Sequence, residues 1–62
     1  MSMSERLLRV PEVARALDLE GEVVYGLIER GELRAGKGQD GLVYVPERAL
    51  EEYRRRKAAA SH

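Results

Sequence analysis

The side chains in this sequence that are best suited to chemistry are cations that could bind phosphate groups. Arg34 and Lys37 lie on or beside the glycine-rich stretch 36–41, where a backbone with few side chains could approach a phosphate closely. Residues 54–57 form a run of four cations, and each phosphate that such a run neutralises adds to affinity at low salt. Both patterns also have a structural explanation, because glycines permit the positive φ of a turn and cations stabilise a helix C-terminus.

No arrangement of residues predicts catalysis. Residues 31–38 begin like the nucleotide-binding pattern G-x-x-x-x-G-K, but Gly38 stands where Ser or Thr would hold Mg²⁺. Serines occur only at positions 2, 4 and 61, and His62 is interpreted as a solvated residue of the tail. The absence of cysteine excludes disulfides and a thiolate metal site. We therefore expect no enzyme, no cofactor, no metal site and no small-molecule substrate.

The composition predicts a small domain with a formal net charge of zero. The 62 residues include eleven basic and eleven acidic side chains, without the basic excess that nucleic-acid binders usually show. No apolar run approaches the roughly 20 residues that cross a bilayer, and the first residues lack the apolar segment of a signal peptide. These features predict a cytoplasmic protein with no membrane partner and a stability of only a few kcal/mol.

Apolar spacing identifies the helix around which the chain is organised. Val24, Leu27 and Ile28 recur at i, i+3 and i+4, so they give one buried face to a short second helix. Gly31 supplies the left-handed residue that ends this helix, and Leu33 returns to the core just after it.

The flanking segments complete a helix-turn-helix with a wing. A first helix begins at Pro11, residues 18–21 form the turn, and a third helix begins at Pro46. Strands over 33–35 and 42–45 enclose the loop 36–41, and Leu7, Leu8 and Val10 form a short strand or an extended lead-in. The prediction is an α+β winged helix-turn-helix of three helices plus a two-stranded β-hairpin wing, spanning 6–57, with disordered residues 1–5 and 58–62.

The outer face of the second helix is unusual for a helix that enters a DNA groove. Its residues are acidic, small or apolar: Glu20, Glu22, Val23, Gly26 and Glu29. Base edges are read by Arg, Lys, Asn, Gln, Ser and Thr, whereas carboxylates near a helix N-terminus are also explained by the helix dipole. Tyr25 is the best candidate contact on this helix, through its hydroxyl to a phosphate, unless it is a half-buried packing residue.

The order of segments resembles the excisionase family of DNA-binding domains, small winged helix-turn-helix modules related to the MerR regulators. The resemblance is carried by LRVPEVA at 8–14, VYGLIERGEL at 24–33, YVP at 44–46 and ALEEY at 49–53, and it covers residues 6–54. It implies sequence-specific, often cooperative DNA binding, with the second helix in the major groove and the wing in the minor groove. Such proteins serve as recombination directionality factors of phages and integrative elements, or as small transcriptional regulators.

The departures from the family pattern define two hypotheses. Family members typically read Ser-Arg-Ser-Thr-Val-Tyr-Arg where residues 20–26 here read Glu-Gly-Glu-Val-Val-Tyr-Gly. The first hypothesis is weak, shape-dependent or cooperative binding of double-stranded DNA through the wing, the second helix and the basic third helix: Tyr25, Arg30, Arg34, Lys37, Gly38, Arg54 and Arg55. The alternative is a protein-interaction or self-association module that uses the acidic and apolar strip Glu20, Glu22, Val23, Gly26 and Glu29.

Overall fold

The computed structural model describes residues 6–60. Its elements in chain order are β1 (Leu7–Arg9), α1 (Val10–Leu17), α2 (Gly21–Glu29), β2 (Gly36–Lys37), β3 (Val43–Pro46) and α3 (Glu47–Ala60). The predicted α+β winged helix-turn-helix with three helices is confirmed. The predictions for residues 1–5 and for 61–62, including His62, lie outside the described residues.

The first helix begins one residue before the predicted Pro11. Its N-terminus is stabilised by the Glu12 carboxylate, which accepts a hydrogen bond of 2.9 Å from the backbone N–H of Arg9. Its C-terminus turns through Asp18, which has φ 59° and ψ 43° in the left-handed region. The N–H of Leu19 then donates to the carbonyl of Ala14 at 2.9 Å. The chain thereby reverses between α1 and α2 in three residues, which makes the helix-turn-helix corner.

The second helix buries the face that its apolar spacing predicts. Val24 is fully buried and Leu27 is nearly so, while Ile28 packs against the core from its edge. At the C-terminus Gly31 adopts φ 78°, and the N–H groups of Gly31 and Glu32 donate to the carbonyls of Ile28 and Leu27 at 3.1 and 2.9 Å. This left-handed cap redirects the chain so that Leu33 is 1% exposed in the core.

The sheet differs from the predicted two-stranded hairpin in its size and in the position of its second strand. It has three antiparallel strands in the order β1-β3-β2, with Leu8 opposite Val45 and Gly36 opposite Tyr44. Residues 33–35 are not a strand, since pairing with β3 on this side begins only at Gly36. The segment Leu7–Arg9 is a strand that pairs with the other edge of β3.

The third helix is also shifted from its predicted bounds. Pro46 is the last residue of β3, and the N–H of Glu47 donates to the carbonyl of Arg6 at 2.8 Å, so that the helix starts one residue later. The helix continues to Ala60, which corrects the disordered tail expected at 58–62 for residues 58–60. Alanine is the best helix former, so a run of alanines extends an existing helix readily.

The contribution of the left-handed cap at Gly31 to stability can be tested by substitution. Replacing Gly31 with Ala should lower the free energy of unfolding by about 1–2 kcal/mol, because a Cβ is disfavoured at positive φ even where no atom crowds it. Urea denaturation followed by circular dichroism measures this change. Gly21 is the matched control, since it lies in the first turn of α2 without positive φ and a Cβ there also meets no atom. Equal losses in the two variants would contradict the assigned role of Gly31.

Candidate functional site

The outward side of α2 is exposed and carries mainly acidic groups. Glu22 and Glu29 are exposed near its two ends, and Val23 and Tyr25 are 44% and 49% exposed on its flanks. Tyr25 is about half covered, and it is not among the apolar residues that pack in or against the core. Glu20, at the N-cap position, is exposed too and makes no side-chain capping bond to the helix. A helix presenting this face to DNA brings carboxylates toward the phosphates.

Arg30 borders the space beside Gly26 on this face. Its Nη1 atom lies 3.5 Å from the position that a Cβ on Gly26 would occupy, which is an ordinary van der Waals distance. The guanidinium pairs with Glu32, whose Oε2 atom lies 3.0 Å from Arg30 Nε. A group that approaches α2 at Gly26 would therefore meet the guanidinium of Arg30 at the edge of that space.

The wing places Lys37 at an accessible position. Lys37 is exposed on β2 opposite Val43, and its ammonium group forms no ion pair with another residue of the described range 6–60. Beyond it the N–H of Gly38 donates to the carbonyl of Leu42 at 2.8 Å, and the N–H of Gly41 donates to the carbonyl of Gly38 at 3.0 Å. The wing is a narrow, hydrogen-bonded hairpin.

Gly38 is required by packing inside the wing. A Cβ at Gly38 would lie 2.8 Å from both Asp40 Oδ1 and Tyr44 Cε2, closer than real contacts allow. The sequence alone suggested that this glycine lets the backbone approach a phosphate. The structure shows that its absent side chain makes room for the Tyr44 ring and the Asp40 carboxylate.

Asp40 and Tyr44 form a pair that the sequence did not reveal. The Tyr44 hydroxyl donates to Asp40 Oδ2 at 2.7 Å, and the N–H of Leu42 donates to Asp40 Oδ1 at 3.1 Å. The hydrogen bond from Tyr44, and then that from Leu42, lowers the pKa of the Asp40 carboxyl, while the same bond raises the pKa of Tyr44. On the adjoining strand β1, the Arg9 guanidinium lies 5.7 Å from the centre of the Tyr44 ring, within cation–π range.

Two of the predicted cations lie at the base of the wing or beside it with partners already in place. Arg34 Nη2 lies 3.3 Å from Glu52 Oε1 on α3, which ties the segment before β2 to the third helix. Arg30 is engaged by Glu32, as described above. Arg48, which the sequence analysis did not single out, lines the same surface groove as Arg34. Only the folded chain could reveal this neighbour, because fourteen positions separate Arg48 from Arg34.

The basic run of α3 does not form one continuous patch. Arg54 lies beside the helix-turn-helix corner, in a groove with Leu17, Leu19 and Lys57, whereas Arg55 lines a different groove with Glu52 and Ala59. Consecutive helix residues point about 100° apart, which separates these side chains. The guanidiniums of Arg54 and Arg55 make no ion pair within the described part of the chain.

The remaining cations of this helix are engaged within the fold. Arg56 donates a hydrogen bond to the backbone carbonyl of Glu32, and Lys57 lies 6.0 Å from the centre of the Tyr53 ring. The i, i+4 spacing favoured ion pairs from Glu51 to Arg55 and from Glu52 to Arg56. Instead Glu52 pairs with Arg34.

Within residues 6–60 no group of three or more His, Cys, Asp or Glu side chains could hold a metal ion. None of the helices in the same range has the length and apolar character needed to span a bilayer. The candidate functional features of residues 6–60 are therefore all on the surface: the exposed face of α2, the wing and the dispersed cations.

Two short helices joined by a tight corner, with a wing beside them, define the helix-turn-helix class of DNA-binding domains. A family model described as a helix-turn-helix domain matches residues 7–58. The chain belongs to this excisionase-like helix-turn-helix family, whose members are DNA-binding proteins. No curated protein and no solved structure matches the chain.

The Asp40–Tyr44 pair can be tested by titration. Replacing Tyr44 with Phe should raise the pKa of Asp40 toward its ordinary value, because the carboxylate loses its strongest hydrogen bond. Since the folded-state pKa is depressed, the pair stabilises the fold above the unfolded-state pKa of Asp40, and this stabilisation is lost as pH falls through the folded-state pKa. Carboxyl NMR resonances followed from about pH 2 to 6 would report the change. Tyr25→Phe removes a tyrosine hydroxyl on another element and should leave the pKa of Asp40 unchanged. An Asp40 pKa that is the same in all three proteins would contradict the assignment.

Proposed function

We propose that this chain binds double-stranded DNA as an excisionase-type or small transcriptional regulator, with weak affinity that comes mainly from the phosphate backbone. The observation that carries the proposal is the uncovered outer face of α2, which no other described element packs against. Helix-turn-helix domains use this face to enter the major groove. The family of the chain supports DNA as the partner.

Phosphate contacts would form most readily at cations whose side chains make no ion pair in the part of the chain that the structure describes. Lys37 on the wing and Arg54 and Arg55 on α3 meet this condition within residues 6–60. Tyr25 adds a hydroxyl at the flank of α2, where it is 49% exposed. These groups lie on several elements, so they would position the domain on a duplex without reading its sequence.

The other three proposed residues would contribute in two ways. Arg30 and Arg34 would have to exchange Glu32 and Glu52 for phosphate, which is feasible because exposed ion pairs are worth only about 0.2–1 kcal/mol. Gly38 would contribute by keeping the wing tip narrow enough to enter a minor groove, since its missing side chain accommodates Tyr44.

Weak sequence discrimination follows from the residues that α2 presents. Each bidentate contact to a base edge is worth about 1–3 kcal/mol of discrimination, and Glu22, Val23 and Gly26 cannot form the Arg or Asn contacts that provide it. Carboxylates near the groove also oppose binding of the polyanion. We infer that useful affinity would depend on DNA shape, or on several copies bound side by side to repeated sites.

The exposed apolar residues of α2 favour a second candidate function. Val23 and Tyr25 are large apolar side chains exposed on opposite flanks of the acidic strip Glu20, Glu22 and Glu29. Such a mixture suits a protein partner or a second copy of the chain better than it suits DNA. In this case the helix-turn-helix would present α2 as an interaction helix.

A salt series tests the DNA-binding proposal. Affinity for a fluorescent duplex should fall by roughly 40- to 150-fold between about 50 and 200 mM salt if three or four phosphates are contacted. Lys37→Ala should weaken binding to all sequences and reduce the slope of log affinity against log salt by about one. Absence of binding at about 50 mM salt would refute the proposal.

Glu22 distinguishes the two candidate functions. Glu22→Arg should strengthen DNA binding by more than Glu51→Arg, because both variants change the net charge equally but only residue 22 lies on the outer face of α2. Under the second candidate function the wild-type protein should show concentration-dependent association by sedimentation or capture a partner. Glu22→Arg should weaken this self-association or partner binding. Equal effects of the two variants on DNA affinity would contradict the proposed orientation.

A further inference from the structure

A groove at the base of the wing carries two arginines. Arg34 and Arg48 line it together with Ala35, Gly36 and Pro46. The surface beside Gly36 is open, because a Cβ built there would meet no atom within 4 Å. Two cations and an uncrowded glycine in one lining make a groove that suits a chain carrying phosphate groups.

One of these two arginines already pairs with a carboxylate. Glu52 Oε1 lies 3.3 Å from Arg34 Nη2, and Glu52 follows Arg48 by four residues, which places the two on the same face of α3. The side chains of Arg34 and Glu52 are 69% and 41% exposed, so water and ions reach the pair. An exposed pair of this kind is weak enough to be exchanged for another anion.

The groove is continuous with the wing. Gly36 lines this groove and also lines a second depression on the outer side of the sheet, together with Lys37 and Tyr44. A sugar–phosphate strand crossing Gly36 would therefore pass from the two arginines to the free ammonium of Lys37. Guanidinium groups suit the first position, because their planar fork of donors matches the oxygens of a phosphate.

We propose that the wing-base groove binds a backbone phosphate of DNA between Arg34 and Arg48, and that Glu52 is the resident anion which this phosphate displaces. Arg48 is then a DNA-contacting residue, and Glu52 is a positioning residue that holds Arg34 in place and lowers DNA affinity. The proposal rests on the proposed function, since it assigns further residues to the same interface.

The decisive experiment compares two neighbouring charge-neutralising variants in the duplex titration. Glu52→Gln should bind DNA roughly fivefold more tightly than wild type, because Arg34 then meets the phosphate without first giving up an exposed ion pair. Glu51→Gln is the matched control: Glu51 is exposed on the same helix and pairs with no cation within residues 6–60. It should change affinity by less than about twofold. Adding Arg34→Ala to Glu52→Gln should abolish the gain.

Arg48 gives the complementary test. Arg48→Ala should weaken binding roughly fivefold, and Arg48→Lys should restore part of the affinity because it keeps the charge but loses the fork. Urea denaturation of each variant shows whether the fold is retained, and the salt slope reports a phosphate contact that a purely structural effect would not change.

The possible failures are distinguishable. If wild type binds DNA with the expected salt dependence but Glu52→Gln and Glu51→Gln behave alike, the groove assignment is overturned and the proposed function stands. If Arg48→Ala binds like wild type, Arg48 makes no contact and the assignment is overturned as well. If wild type does not bind DNA at all, the proposed function itself fails.

Discussion

The packing of four fully buried side chains is the constraint on which the rest of this structure depends. Val13, Val24, Leu33 and Val45 come from α1, α2, the segment after α2 and β3, and each is at most 1% exposed. A chain of 62 residues without cysteine has no disulfide to stabilise it, so apolar contacts must fix the relative positions of its elements. The four residues do this together with the buried residues of α3, which are Ala49, Leu50 and Tyr53. The corner, the outward face of α2 and the root of the wing are all consequences of that packing.

Because the core is small, the position of the wing depends on local interactions within the wing and beside it. β2 is only two residues long, and both lie on the surface. The wing is held by its pairing with β3 and by the contacts of Asp40 with the Tyr44 hydroxyl and the Leu42 N–H. Arg9 on the far strand lies against the same ring. Asp40 would repel a phosphate that approached the loop, but its hydrogen bonds maintain the shape of that loop.

The cations show why a balanced composition can coexist with DNA binding. Several arginines are engaged inside the fold: Arg30 by Glu32, Arg34 by Glu52, and Arg56 by a backbone carbonyl. Lys37, Arg54 and Arg55 remain without ion pairs among the described residues and lie on different elements. Dispersed and partly neutralised cations, together with the acidic face of α2, are the features behind the weak, salt-dependent DNA affinity that we propose.

The amino-acid sequence by itself determined the three helices and their buried faces. The periodicity at Val24 and Leu27 depends on the 3.6-residue repeat alone, and the glycine at position 31 reflects a local steric requirement, so both could be predicted without any partner in space. Tertiary structure decided the rest. Which carboxylate holds Arg34, why Gly38 has no side chain, and where Arg48 lies are set by contacts between residues distant in sequence or across a turn. The i, i+4 rule favoured Arg56 as the partner of Glu52, but an exposed helical pair is weak, and packing of α3 against the segment after α2 brought Arg34 closer.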